Sequence, residues 1–130
     1  MPTMANITVK NAANADVVYT ATVPSAGDRV PARWIATAMS IIAGFRAVFT
    51  AVARDNGKQN ARVVDLSYKF PITGTVSGVE TQLAIVPITL SATLPTNVDA
   101  AKVADATVQF TNLAASALVR EVFSSGYAPT

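Results

Sequence analysis

The sequence predicts an α+β fold: an antiparallel β-meander over residues 1–94, then a helical region over residues 95–130, in a single domain of 130 residues. Three observations predict it. From Ile7 to about Leu94 the chain is rich in Val, Ile, Thr and aromatic residues and is broken at short intervals by Asn, Gly, Asp and Pro clusters. Within the longer apolar stretches, polar and apolar residues alternate, as in strands with one dry face. After Leu94 the texture changes, and no Gly or Pro occurs from Val98 to Ser124. A chain of this length buries roughly two-thirds of its unfolded surface, enough for one core without staples.

The first two strands are Ile7 to Lys10 and Asp16 to Val23, joined by the hairpin loop Asn11-Ala-Ala-Asn14. Pro24-Ser-Ala-Gly-Asp28 is the next turn cluster, and Ala32 to Ala38 reads as the third strand. The fourth and fifth strands, Phe45 to Arg54 and Arg62 to Phe70, are joined across Asp55-Asn-Gly-Lys-Gln-Asn60. In the fourth, Phe45, Ala47, Phe49 and Ala51 share one face, and Arg46, Val48, Thr50, Val52 and Arg54 the other. In the fifth, Val64, Leu66, Tyr68 and Phe70 oppose Val63, Asp65, Ser67 and Lys69. This sheet is therefore dry on one side and solvated on the other.

Pro71-Ile-Thr-Gly-Thr-Val-Ser-Gly78 reads as a glycine-punctuated loop, and Leu83 to Leu94 as a near-continuous apolar strand broken by Pro87. The helix, one piece or kinked once, runs from Val98 to about Ser124 with Thr96 or Asn97 as N-cap and Asp99 in its first turn. Val103, Ala106, Phe110, Leu113, Ala117 and the stretch Val119 to Val122 supply its apolar faces. Arg120 then falls in the last turn, where a cation suits the dipole, and Gly126 stops the helix.

Composition narrows the function. There are no cysteines and no histidines, which removes disulfides, thiolate nucleophiles, imidazole bases and the usual zinc ligands. The carboxylates Asp16, Asp28, Asp55, Asp65, Glu80, Asp99, Asp105 and Glu121 are scattered singly, without the paired spacing of acid–base catalysis. Ser25, Ser40 and Ser91 have no histidine to activate them, and Gly74-Thr-Val-Ser-Gly78 lacks the Lys-Ser/Thr of a phosphate loop. We expect no enzyme, no cofactor, no metal and no small-molecule substrate.

Hydrophobic residues make up 51% of the chain and charged residues 14%, against about 25% charged in an ordinary globular domain. Such a chain is expected to hide apolar surface against a copy of itself. Net charge is +2, a mild excess that permits contact with phosphates without demanding it. The N-terminus has no basic patch followed by an apolar core, Met1 and Met4 are both candidate starts, and Ile35 to Phe45 is too short to span a bilayer. The expectation is a soluble, unprocessed protein with no membrane partner. One helix covers a stripe of roughly 10 Å, whereas a meander of six or seven strands is roughly 30 Å wide. A two-fold dimer with joined sheets and exchanged helices covers the remainder and removes an exposed edge.

The chain carries, in order, Ala32-Arg-Trp-Ile-Ala-Thr-Ala38, Asn60-Ala-Arg62 leading to Lys69-Phe-Pro71, Thr75-Val-Ser-Gly-Val-Glu80, Pro87-Ile-Thr-Leu before Pro95-Thr-Asn97, and Val119-Arg-Glu-Val-Phe-Ser-Ser-Gly126. Together, in this order and at matching spacing, these strings are similar to the coat proteins of the single-stranded RNA bacteriophages, the leviviruses. The resemblance spans nearly the whole chain. It implies an interlocked homodimer whose continuous sheet lines an icosahedral shell, with the helices outside, located in the virion and assembled in the bacterial host cytoplasm. It also implies that Thr73, Gly74, Thr75, Val76, Ser77, Gly78, Val79 and Glu80 form an inter-subunit loop around the symmetry axes. Gly74 and Gly78 would let that loop take more than one backbone conformation, although it is shorter here than in the best-known members.

The family binds a viral RNA hairpin on the interior sheet face and thereby represses replicase translation. The resemblance places Arg46, Thr50, Arg54, Ser67 and Lys69 as RNA-binding residues: three cations for phosphates and two hydroxyls for unpaired bases. Val48, Asp65 and Ser67 stand where a prototype base pocket has threonines and a lysine, which weakens the case for specific hairpin recognition. Two rivals remain, an open fibre or pilus-like subunit polymerising through sheet edges, and a non-capsid RNA-binding module. Trp34, Tyr19, Tyr68 and Tyr127 do not make the stacking platform such a module needs.

Overall fold

Six strands form one antiparallel sheet in the order β1-β2-β3-β4-β5-β6, each neighbouring the next in sequence, and two helices follow. The elements are β1 (Ile7–Lys10), β2 (Asp16–Val23), β3 (Ala32–Ile35), β4 (Val48–Asp55), β5 (Ala61–Val76), β6 (Val79–Pro95), α1 (Ala100–Ala114) and α2 (Ala117–Ser125). The structure, a computed structural model, describes residues 2–130; Met1, one of the two candidate starts, lies outside them. Two compact units are present, one of residues 1–93 and one of residues 94–130. No helix among the described residues is long and apolar enough to cross a membrane.

The first hairpin forms where the asparagines place it. Asn11 Oδ1 accepts from the amides of Ala13 (3.0 Å) and Ala15 (2.9 Å), and Asn14 takes a left-handed φ of 61°. These are local bonds that a four-residue segment makes without tertiary help. Lys10 and Asp16 close the ends with a 2.6 Å ion pair. The β4–β5 turn uses the same chemistry: Asn56 accepts from the Asn60 amide at 3.1 Å and donates to the Asn60 side chain at 2.6 Å.

Between β2 and β3 the ladder shifts register at Ala21/Val23, and Thr22 donates to the Arg33 carbonyl at 2.9 Å. The following turn is pinned by Arg62. Its guanidinium donates to both oxygens of Asp28 (2.7 and 2.9 Å) and to Asp55 (2.8 Å), tying the β2–β3 connection to β4 and β5. The hydrogen bond from Arg62, reinforced by its charge, holds the Asp28 carboxyl below the usual range against a small desolvation cost. A carboxylate with a depressed folded pKa adds stability above its unfolded pKa near 3.8, and that contribution is lost as pH falls through the folded value. Arg62→Ala therefore lowers the urea midpoint at neutral pH. The gap from the wild type narrows as pH drops below about 4; a gap independent of pH would contradict this origin.

Two strands are shorter than the apolar run suggested. β3 ends at Ile35, not Ala38, and β4 begins at Val48, not Phe45, which instead belongs to a short 3-10 turn, Ala43–Phe45. Arg46 explains the early exit. Its Nε donates to the Ser40 carbonyl at 2.8 Å and its Nη2 to that of Ile41 at 3.4 Å, folding residues 36–46 into a loop. Ala36 and Ala47 close the base through an amide-to-carbonyl bond of 3.0 Å and are almost wholly buried.

Pro71 to Gly78 is not a loop. β5 runs on through Val76, and only Ser77 (φ 53°) and Gly78 (φ 80°) turn the chain, both with the positive φ of a type I′ hairpin. Gly74 lies within β5, where a Cβ would meet only the Leu83 side chain, at 2.8 Å from its Cδ1, a contact that exposed side chain can relieve by moving. Pro71 is tolerated because the ladder with β4 ends at Lys69, and Pro87 because β6 is the edge strand.

The helical unit corrects two expectations, the N-cap and the place of Arg120, and decides between one helical piece and two. The N-cap is Asp99, which accepts from the Ala101 amide at 3.0 Å, so neither Thr96 nor Asn97 caps the helix. The chain breaks at Ala115, and Ser116 caps α2 by accepting from the Val119 amide at 3.4 Å while its hydroxyl donates to the Leu113 carbonyl at 2.6 Å. Arg120 consequently lies near the start of α2 and not in its last turn. Gly126 ends α2 with φ 78°, as expected.

Candidate nucleic-acid interface

Residues directly opposite in an antiparallel ladder point to the same side of the sheet. On the apolar side the register aligns Ala21, Trp34, Phe49 and Tyr68 across β2, β3, β4 and β5. Trp34 packs on Phe49 with ring centroids 5.5 Å apart, and Tyr19 and Tyr68 share a 2.7 Å hydroxyl hydrogen bond. Half-burial, then the Tyr19 hydroxyl, push Tyr68 above the usual phenol range. Ile7, Val9, Tyr19, Phe49 and Tyr68 line an open hollow of ≈ 390 Å³ on this side. The buried residues among those described are three alanines and Pro71, and no aromatic residue is among them, so the aromatic face is only half covered.

The opposite side is polar, and the register orders it in rows. Arg33, Thr50 and Ser67 form one row across β3, β4 and β5, and Ile35, Val48 and Lys69 the next. Val52 and Asp65 form a third row, and Arg54 and Val63 a fourth. Strands about 4.8 Å apart put Arg33 and Ser67 at the two ends of a span of roughly 10 Å, with Thr50 between them. Thr50, Arg54, Ser67 and Lys69 are thus brought together on one face.

They are not equivalent. Arg54 Nη1 lies 2.8 Å from Asp65 Oδ2, and the other Asp65 oxygen accepts from Ser91 Oγ on β6 at 2.6 Å. Lys69 is exposed and is in no ion pair among the described residues. Arg46 stands apart, since its guanidinium is engaged with the carbonyls of the 36–46 loop. Sequence reading missed Arg33, exposed and likewise in no ion pair among the described residues. Alternation alone sets it on the face opposite Trp34; only the register makes it the neighbour of Thr50.

Of the expected loop residues, Thr73, Gly74, Thr75 and Val76 lie in β5, Ser77 and Gly78 are the turn, and Val79 and Glu80 begin β6. Val76 and Val79 are exposed at the tip. Glu80 accepts from Ser40 Oγ at 3.2 and 3.3 Å, joining the base of the tip to the loop that Arg46 holds.

Chemically, the polar face offers two unpaired cations beside two hydroxyls and no aromatic ring, a set suited to phosphates and sugars more than to stacked bases. No group of three His, Cys, Asp or Glu residues that could hold a metal ion exists among the described residues.

No protein-family model and no curated protein matches the chain. Solved structures do. The chain is similar to the subunit of the virus-like particle of Beihai levi-like virus 21 at 16% identity and TM-score 0.83, over 99% of both chains. It is similar to that of the virus-like particle of bacteriophage ESE058 at 14% identity and TM-score 0.78, over 99% of this chain and 100% of the other. The bacteriophage GA capsid protein matches at 20% identity and TM-score 0.72, over 95% of each chain. The six-stranded sheet followed by two helices is the RNA-phage coat-protein fold.

Proposed function

We propose that this chain, which has the coat-protein fold of the RNA bacteriophages, is a structural capsid subunit that dimerises, assembles into an icosahedral shell and packs single-stranded RNA against its polar face. The carrying observation is the match over 99% of both chains to a subunit of a virus-like particle. It is not an enzyme in this reading, and its location is the virion, formed in the cytoplasm of a bacterial host.

Surface properties support self-association. β6 has 17 residues, none of them fully buried, and ends the sheet with one side unpaired. A long, apolar, unprotected edge promotes uncontrolled pairing unless a defined partner occupies it. Joining two β6 edges about a two-fold axis satisfies both and makes one continuous sheet. On the helices Val108, Phe110, Leu113, Leu118 and Phe123 are exposed, as apolar sides awaiting a second copy would be.

RNA packing rests on the polar face. Arg33 and Lys69 meet phosphates, and Thr50 and Ser67 meet sugars or unpaired bases. The missing aromatic platform and the carboxylate of Asp65 favour backbone contact over reading of one particular hairpin.

Expression of the chain alone, separation by size, imaging and the absorbance ratio at 260 and 280 nm test this. Uniform spheres containing nucleic acid are expected; a clean dimer or an open filament free of nucleic acid would overturn the shell. Arg33→Ala with Lys69→Ala should lower the 260/280 ratio severalfold toward that of empty protein while leaving the dimer intact. Unchanged RNA content would place the contact elsewhere.

A further inference from the structure

We propose that Asp65 withholds Arg54 from RNA, so that this carboxylate sets how tightly and how salt-sensitively the polar face binds a single-stranded backbone. The inference rests on the RNA-packing reading of that face. Among the ladder-paired residues of β3, β4 and β5 the face carries three cations, Arg33, Arg54 and Lys69, and a single carboxylate, Asp65. That carboxylate is held from both flanks: Arg54 on β4 contacts Oδ2 at 2.8 Å and Ser91 on β6 contacts Oδ1 at 2.6 Å. Asp65 is therefore fixed in β5, one row from Thr50 and Ser67, and it holds the Arg54 guanidinium in an ion pair that leaves the charge of Arg54 already spent.

Two consequences follow from charge and exposure. Arg54 and Asp65 cancel, leaving Arg33 and Lys69 as the cations that neutralise phosphates. The pair is also partly exposed, at 38% and 44% of the side-chain surface, so it is screened by salt and is weak enough to respond to a single substitution. Asparagine at position 65 keeps an acceptor for Ser91 while removing the charge that detains Arg54.

The test uses the full-length chain freed of nucleic acid and titrated with labelled oligouridylate over a range of salt. Each phosphate neutralised on a single strand steepens the plot of log K against log salt by about 0.7. D65N should bind roughly three- to tenfold more tightly at low salt and steepen that slope by about 0.7, one added phosphate contact. R54A leaves the Asp65 charge uncompensated and should weaken binding, whereas R54A combined with D65N removes both charges and should abolish the gain, returning affinity and slope to those of the wild type. Wild-type binding with an unchanged slope in D65N overturns the proposal and leaves RNA packing standing. No binding by either chain overturns RNA packing and the proposal with it. Asp65→Ser removes the same charge with a smaller side chain and serves should D65N fail to fold.

Discussion

Diluting the chain tenfold should lower its apparent unfolding free energy by about 1.4 kcal/mol, the signature of a fold that exists only as a dimer. A self-contained protein of 13.5 kDa exposes roughly 6,500 Å². This chain exposes 9442 Å², roughly half as much again. Its buried residues among those described, Ala36, Ala47, Ala61 and Pro71, are all small, and neither α1 nor α2 buries a residue. A core made of such residues cannot offset the entropy of ordering the chain, which costs on the order of 1–2 kcal/mol per residue for the backbone alone. The missing burial has the scale of an obligate dimer interface. The check is a urea denaturation series at several protein concentrations, followed by far-UV circular dichroism. A midpoint independent of concentration would mean that one chain suffices, and the dimer reading would fail.

How much of this was legible in the sequence depends on the range of the interaction. β1 and β2 fall where the residues place them because Asn11 builds its turn from its own neighbours. Pro71, Gly74 and Gly78 resemble loop punctuation and so hide the β5–β6 hairpin from a reading of the sequence. Of these three only Gly78, together with Ser77, turns the chain; Gly74 lies within β5, and Pro71 falls where the β4 ladder has stopped. The break between the helices rests on Ser116, a cap without the Glu or Gln three residues later that would have announced it. The site divides likewise. Alternation puts Thr50, Arg54, Ser67 and Lys69 on one face from sequence alone. The pairing of Arg54 with Asp65, the row joining Arg33 to Thr50 and the employment of Arg46 in a loop all depend on register and side-chain reach, which alternation does not encode.

Trp34→Ala should cost about 2–3 kcal/mol, the largest loss from a single truncation in the sheet. Trp34 is the only tryptophan, and it joins three segments. Its ring packs on Phe49 of β4 at 5.5 Å, its backbone pairs with Ala21 of β2, and its Nε1 donates to the Ala5 carbonyl at 2.8 Å. The last bond, with Asn6 Oδ1 accepting from the Ala21 amide at 2.9 Å, anchors the segment before β1. Truncation to Ala removes the ring contact and the anchor together; Trp34→Phe keeps an aromatic ring on Phe49 and loses the anchor alone, at about 1 kcal/mol. Urea midpoints by far-UV circular dichroism at one fixed protein concentration separate the two variants, because removal of the only tryptophan leaves no indole fluorescence to follow. Equal midpoints for Trp34→Ala and Trp34→Phe would assign the whole effect to the Ala5 bond. A Trp34→Ala midpoint equal to that of the wild type would mean that the aromatic face contributes nothing until a second copy covers it.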